Sequence, residues 1–299
     1  MPDVSPPPRY IGRFAPSPTG PLHLGSLYTA LASFLDARSH QGQWRVRIDD
    51  LDTHRNIAGA SGGILKTLQM FGLEWDDPVD YQSWHLAEYE AALCRLTEQG
   101  HVYRCVCSRK GLAVSGNASV YPGFCRDRLV PIGTPHALRI KTGHHAIACN
   151  DRLQGLLCQD LAKQHGDFVL QRKEGIIAYT FAVVVDDARQ SISHVVRGAD
   201  LLDETPKQIY LQQLLGLPTP CYLHLPLLVD QQGHKLSKQT RAAPVDLAKP
   251  HLTLFQLLQW LKQNPPASLQ HAPLADMLAW AVCHWRADKL QKTATITLP

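Results

Sequence analysis

The chain has 299 residues, 44% hydrophobic and 19% charged, a length that accommodates two or three domains. Its formal charge of +4 at pH 7 is modest and by itself demands no nucleic-acid partner. No run approaches the roughly eighteen apolar residues of a membrane span, and the Pro-rich start lacks the charged-then-apolar pattern of a secretory signal, so a cytoplasmic chain without membrane association is expected.

In chain order, residues 9–14 form a short apolar-polar run that can pair as a strand. The run Pro16-Ser17-Pro18-Thr19-Gly20-Pro21 then forces a turn. Leu27, Ala30, Leu31, Phe34 and Leu35 recur on one helical face. Residues 43–48 read as a second strand. Ile57, Ile64, Leu65, Leu68 and Phe71 give a helical face after it, and Leu86, Tyr89, Leu93 and Leu96 another, ending near Gly100. Strand-like runs follow at 102–103, 137–141 and 168–170, with a turn at Arg172-Lys173-Glu174-Gly175. Residues 181–185 read as a buried strand and 205–215 as a helix. Pro226 interrupts the apolar run 222–229. Helical stretches at 254–263 and 274–289 close the chain. Alternating strands and helices predict an α/β fold with parallel pairing. Ligands in such sheets bind at the carboxyl ends of the strands, here after Phe14, Ile48 and Val185.

Two segments carry phosphate chemistry. His23-Leu24-Gly25-Ser26 falls where a strand and loop open into a helix, and a helix N-terminus offers free N–H groups and partial positive charge to a phosphate. Gly25 lacks a β-carbon, so a ring or phosphate can approach the backbone. His23 can donate to an oxygen on which charge builds. Downstream, Gly233-His234-Lys235-Leu236-Ser237-Lys238-Gln239 places two ammonium groups on one loop, suited to neutralising a leaving pyrophosphate. Taken singly, the first segment reads more readily as a turn with a surface histidine, and the second as a solvated basic loop.

There are eight cysteines. In a reducing compartment, clustered thiols suggest metal before disulfides. Cys105, Cys107 and Cys125 would hold a tetrahedral Zn²⁺ if one more ligand closed the site; position alone nominates His101 or His136. For Cys94, Cys149, Cys158, Cys221 and Cys283 the expectation is plain burial.

Arg13-Phe14-Ala15-Pro16-Ser17-Pro18-Thr19-Gly20, Arg47-Ile48-Asp49-Asp50-Leu51-Asp52 with Arg55, Val184-Val185-Asp186-Asp187, His194-Val195-Val196-Arg197-Gly198-Ala199-Asp200-Leu201-Leu202 and Tyr222-Leu223-His224-Leu225-Pro226-Leu227 together resemble the glutamyl branch of the class I aminoacyl-tRNA synthetases, from about residue 9 to 239. About sixty residues follow Gln239, too few for the anticodon-reading part of a full glutamyl-tRNA synthetase. The chain therefore looks like the glutamyl-queuosine tRNA(Asp) synthetase family, whose members place glutamate on queuosine in the anticodon loop.

That resemblance implies a Rossmann-type parallel sheet with an inserted zinc-containing subdomain and a small helical C-terminal region. Its divisions are 9–100 for the first half of the catalytic domain, 101–180 for the insertion, 181–240 for the second half with the Lys-Leu-Ser-Lys-Gln loop, and 241–299 for the helical region. It implies His23, Gly25, Lys235 and Lys238 as catalytic residues. ATP, with Mg²⁺, is expected on His23, Gly25, Ser26 and Lys238. Glutamate is expected on Arg13, Phe14, Ala15, Pro16, Ser17, Asp49, Tyr179 and Arg197, with the arginines for carboxylates and Asp49 for the ammonium. Zinc is expected on Cys105, Cys107, Tyr121 and Cys125. The implied partner is queuosine-containing tRNA(Asp), and the implied state a monomer. Two departures stand out: Ser26 replaces a common second histidine, and Asp49 replaces a usual glutamate, shortening the reach by a methylene. The alternatives are a short glutamyl-tRNA synthetase charging a tRNA 3′ end and a non-catalytic relic that binds tRNA or glutamate. Retention of His23, Gly25, Lys235 and Lys238 argues against the relic.

Overall fold

The computed structural model describes residues 9–114, 120–144, 146–234, 245 and 247–298. Lys235, Ser237 and Lys238 lie outside the described residues.

The chain opens with β1 (Ile11–Phe14), α1 (Leu24–Ser39) and β2 (Gln43–Ile48), followed by α2 (Ala60–Met70), β3 (Asp80–Tyr81) and α3 (Leu86–Glu98). Next come β4 (Val102–Cys105), α4 (Arg109–Val114), β5 (Ala137–Ile140), the hairpin β6 (Ala146–Asp151) and β7 (Gly155–Asp160), α5 (Leu161–Gln164) and β8 (Val169–Gln171). The order then runs α6 (Tyr179–Arg189), β9 (His194–Gly198), α7 (Thr205–Leu215), β10 (Cys221–Leu225), β11 (Leu227–Val229), α8 (Pro250–Trp260), α9 (Leu274–His284) and β12 (Thr295–Thr297).

A five-stranded sheet of order β10-β9-β1-β2-β3 is parallel at every pairing. From β1 the chain winds out to β2 and β3, then returns on the other side with β9 and β10. The β1–β9 boundary is thus a topological switch point. Alternation along the strands divides the core: Val196, Leu223 and Leu225 join Leu27, Leu31, Trp44, Leu257 and Met277 on one face, while Val195 and Tyr222 join Ile147 and Ile209 on the other. A separate three-stranded antiparallel sheet, β4-β5-β8, stands between α3 and α6 in sequence.

The spacing in α1 is borne out, yet burial extends beyond the expected stripe to Tyr28, Ala32, Ser33, Asp36 and Ala37. A helix packed on every side is an interior element: the sheet covers one side of α1, and α8 and α9 contribute to the same core on the other. Asp36 is the polar exception. It accepts from Tyr10 Oη at 2.5 Å, from Arg152 at 2.5 and 3.0 Å and from Trp285 Nε1 at 2.9 Å. Burial raises its affinity for a proton, but these donors outweigh burial and hold the carboxyl below its ordinary range.

Four expectations need correction. The run 181–185 is not a strand but the first half of α6. A short continuous apolar run fits either element, and helical geometry here lets Asp186 and Asp187 turn inward to buried partners. The sheet strand is instead β9, so the ligand-bearing edge lies after Gly198 rather than Val185. The stretch 274–289 is interrupted: α9 stops at His284, and Trp285 leaves helical geometry at φ −58°, ψ 126° to bury its ring and reach Asp36. Ile57 precedes α2 and is exposed. Of the five cysteines expected to be buried, only Cys149 is; Cys94, Cys158, Cys221 and Cys283 are exposed. Cys94 lies off the buried Tyr89–Leu93–Leu96 stripe of α3, and Cys158 takes an outward position of the β7 alternation.

Candidate active site

At the carboxyl ends of β1, β9 and β10 lies a cavity of about 600 Å³. Arg13 and Phe14 enter it from the end of β1, and Ala15, Pro16 and Ser17 from the loop beyond. His23, Gly25 and Ser26 enter from the start of α1, Tyr179 from the start of α6, and Arg197 from β9. Ten of the residues singled out in the sequence thus meet on one surface. Asp49 is not on the lining.

His23 is the N-cap of α1. Its Nδ1 accepts from the Ser26 N–H at 3.1 Å, and its Nε2 lies 2.9 Å from Ser26 Oγ. The accepting Nδ1 leaves the proton on Nε2, so Ser26, the departure from the common motif, aligns the His23 ring that faces the cavity. Gly198 closes the opposite wall. A β-carbon there would stand 2.6 Å from an Asp200 carboxylate oxygen and 3.0 Å from Leu227 Cδ2, so any larger residue requires those side chains to shift.

Beneath the cavity sits a buried ionic cluster. Arg47 donates from Nε to Asp49 at 2.8 Å, and from Nη1 to Asp187 at 2.7 Å and Gln190 at 2.9 Å. Asp186, 3.7 Å from Arg47, accepts from Gln82 and Tyr89 at 2.8 Å. Arg13 reaches Asp187 only at 3.3 and 3.4 Å. Burial opposes the charge on Asp187, yet Arg13 and Arg47 hold its carboxyl below the ordinary range. At Asp49 burial wins over Arg47 and pushes the carboxyl up to about 6. Its Oδ2 is buried with no hydrogen-bond partner, a group that calls for a donor from outside the protein. Arg47, Asp186 and Asp187 stand in the synthetase-like motifs but carry no expected role there; charged residues set inside apolar runs are the signal that marks them.

Arg197 is a third buried arginine, 4% exposed. Its Nε donates to His224 Nε2 at 2.9 Å, and its Nη2 to Thr205 Oγ1 and Gln208 Oε1 at 2.8 Å. All of these are neutral acceptors. Among the described residues no carboxylate lies within ion-pair range of it, and Nη1 makes no hydrogen bond. A buried cation without a counter-ion is costly, and this one faces a cavity.

In the antiparallel region, the Sγ atoms of Cys105, Cys107 and Cys125 all lie within 4.8 Å of one another, with Cys107 and Cys125 at 3.6 Å. Tyr121 Oη stands 3.3 Å from Cys105 Sγ and 3.5 Å from Cys107 Sγ. An ion bound at Zn–S distances in a tetrahedron needs ligand separations of about 3.7 Å between sulfurs, so these four atoms fit a metal. Among the described residues no histidine joins the group, and His136 turns to the Thr134 carbonyl at 2.7 Å. Burial and the neighbouring thiols hold the Tyr121 hydroxyl well above its ordinary value; a divalent cation reverses that balance. The Arg139 guanidinium, 4.0 Å over the Tyr121 ring, also favours negative charge there.

The family model for the catalytic domain of class I tRNA synthetases (E and Q) matches residues 11–119 and 127–249, which defines the class. A glutamyl-Q tRNA(Asp) synthetase from Aromatoleum aromaticum is 51% identical over 287 residues, covering 95% of this chain and 90% of the relative. One from Neisseria meningitidis serogroup C is 50% identical over 292 residues, covering 95% and 98%. Among solved structures, a glutamate tRNA ligase from Elizabethkingia meningosepticum in complex with its amino acid superposes with a TM-score of 0.79 at 25% identity, covering 96% of this chain and 66% of that one. The chain thus spans about two thirds of that ligase. It belongs to the glutamyl-Q tRNA(Asp) synthetase family, within the glutamate and glutamine branch of the class I tRNA synthetases, and is a ligase of that type. Among the described residues no helix is long and apolar enough to cross a membrane.

Proposed function

We propose that the protein activates L-glutamate with Mg²⁺-ATP to glutamyl-adenylate and transfers the glutamyl group to queuosine in the anticodon loop of tRNA(Asp). The observation that carries the amino-acid half is Arg197, a buried guanidinium in the cavity wall whose partners are all neutral. It takes one glutamate carboxylate through Nη1, and Arg13, loosely held by Asp187, takes the other. Asp49 Oδ2 accepts from the ammonium, and Tyr179 packs on the substrate side chain. The α-carboxylate then attacks the α-phosphate in line and pyrophosphate leaves. His23 and the N-terminus of α1, with Gly25 and Ser26, contact the nucleotide, and Lys235 and Lys238 the departing pyrophosphate; positioning and charge neutralisation supply most of the rate. The relatives' names support queuosine as acceptor.

In this reading residues 9–100 and 181–240 are the two catalytic halves, 101–180 the insertion and 241–299 a helical region. The enzyme works as a monomer in the cytoplasm. The test is glutamate-dependent ATP–pyrophosphate exchange, then transfer of labelled glutamate to tRNA(Asp) with and without queuosine. Exchange with transfer only to the queuosine form is expected. Transfer to the 3′ end of tRNA(Glu) would replace the acceptor assignment, and absence of exchange would remove the activity.

The metal is zinc, held by Cys105, Cys107, Cys125 and Tyr121, with a structural role. Cys125→Ser is expected to purify with less than about a tenth of the wild-type zinc and to melt several degrees lower, a loss of about 1–3 kcal/mol. Metal analysis and calorimetry check this; full zinc in Cys125→Ser would exclude the ligand set.

A further inference from the structure

The hairpin β6–β7 lies far from the substrate cavity in sequence, yet its tip is fastened to the strand beside it. Arg152 N–H donates to the Tyr222 carbonyl at 2.9 Å, and Gln154 Nε2 to the His224 carbonyl at 2.9 Å. Asp151 is fully buried there. Its Oδ1 accepts from the N–H groups of Leu153 and Gln154 at 3.0 and 2.7 Å, and its Oδ2 from the His224 N–H at 3.1 Å. Oδ2 also lies 2.7 Å from His224 Nδ1.

The protonation of this line follows from the donors alone. Arg197 Nε can only donate, so His224 Nε2 accepts. The single ring proton is therefore on Nδ1 and is donated to Asp151. The imidazole is neutral, and burial pushes its affinity for a proton below the ordinary value. A neutral acceptor fixes the Arg197 plane without cancelling its charge. A carboxylate in the place of His224 would satisfy Arg197 and remove its need for a ligand; an alanine would let the guanidinium turn.

We propose that Asp151 and His224 are positioning residues for substrate: Asp151 fixes the His224 tautomer, and His224 holds Arg197 with Nη1 presented to the glutamate side-chain carboxylate. The inference rests on the glutamate assignment made above. It makes the hairpin part of amino-acid recognition, although neither residue lines the cavity.

The experiment is ATP–pyrophosphate exchange on the full chain with glutamate and ATP varied separately, for His224→Gln and His224→Asn. The Gln amide oxygen can stand near Nε2 and accept from Arg197. The Asn amide can replace Nδ1 toward Asp151 but leaves Arg197 Nε without its acceptor. His224→Asn is expected to raise the KM for glutamate by ~10-fold or more, with the KM for ATP and kcat within about twofold, and His224→Gln to stay within about threefold of wild type. Asp151→Asn is expected to resemble His224→Asn, and the double variant to be no worse than the poorer single, because both act through one arginine. Thermal melts of each variant separate a folding defect from this split. Equal KM for the Gln and Asn variants, or equal effects on ATP and glutamate, would overturn the relay while leaving glutamate activation intact. No exchange by the wild-type protein would overturn the glutamate assignment and the relay together.

Discussion

Replacing Arg47 with alanine is expected to lower the unfolding free energy by about 3–5 kcal/mol, the range for breaking a buried ion pair from one side. The side chain is fully buried and touches Asp49 and Asp187 at 2.8 and 2.7 Å, with Asp186 at 3.7 Å. Burial disfavours its charge, but these carboxylates outweigh burial and hold it protonated. In the variant Asp49, Asp186 and Asp187 keep only two arginine neighbours among the described residues, Arg13 beside Asp187 and Arg189, 3.4 Å from Asp186. The loss carries a pH signature. Asp49 already titrates near 6 in the folded protein, above the unfolded value of about 3.9. Between those values the native state holds more of the proton, so the Asp49 contribution to stability falls as pH rises. Without Arg47 its affinity for a proton climbs further. The penalty of Arg47→Ala is therefore expected to be larger at pH 8 than at pH 5. Urea titrations at the two pH values measure it, and a loss below about 1 kcal/mol would show that the cluster relaxes without this arginine.

Arg197→Ala is expected to reduce kcat/KM for glutamate in exchange by between ~30-fold and ~3,000-fold, corresponding to about 2–5 kcal/mol for truncating one side of a buried charge pair. Arg197→Lys should recover little of it. A lysine cannot hold His224, Thr205 and Gln208 with one edge while presenting another to a carboxylate. Unlike Arg47, Arg197 leaves no buried carboxylate behind in the protein. Its loss should therefore be felt more in catalysis than in stability, and the two arginines should give opposite profiles when activity and urea midpoint are compared. An Arg197→Ala enzyme with wild-type glutamate kinetics would exclude the arginine as the substrate's partner.

How much of this was legible in the sequence depends on the distance over which each feature is defined. The α1 face could be read because Leu27, Leu31 and Leu35 repeat within one helix, and the position of His23 at its start followed. Most cavity residues came from motifs local to a strand end or to the start of α1, whereas Tyr179, at the start of α6, came from the family resemblance alone. The 181–185 segment was misassigned because an apolar run of five has no period to count; Asp186 and Asp187 just beyond it, each aimed at an arginine more than a hundred residues away, were the overlooked clue. Tyr121 could not be chosen as a metal ligand from spacing, since only folding brings its hydroxyl among three thiols. The Asp151–His224 contact joins residues 73 positions apart, with nothing local to mark either as a pair. The exposed cysteines show a bias of another kind: composition favours burial for cysteine, but the face of α3 and the alternation of β7 decide it.

The network around Asp36 bears on how the chain can be made. Trp285 lies 249 positions after Asp36, and Arg152 lies 116 after it. The carboxylate sits in the middle of α1, the helix whose first turn is proposed above to meet the nucleotide. During synthesis that helix emerges early, with an acidic group in the middle of an otherwise apolar surface and none of its distant donors yet made. Until then Asp36 keeps its hydration and α1 cannot be sealed from both sides. Tyr10 and Arg152 precede Trp285 in the chain, so a nearly complete nascent chain lacks only the last of these donors, the one that comes with the segment after α9. The proposed nucleotide wall is therefore expected to close late: a ribosome-tethered chain stopped before Trp285 should lack a fully formed cavity at α1, although every residue lining it has already been translated.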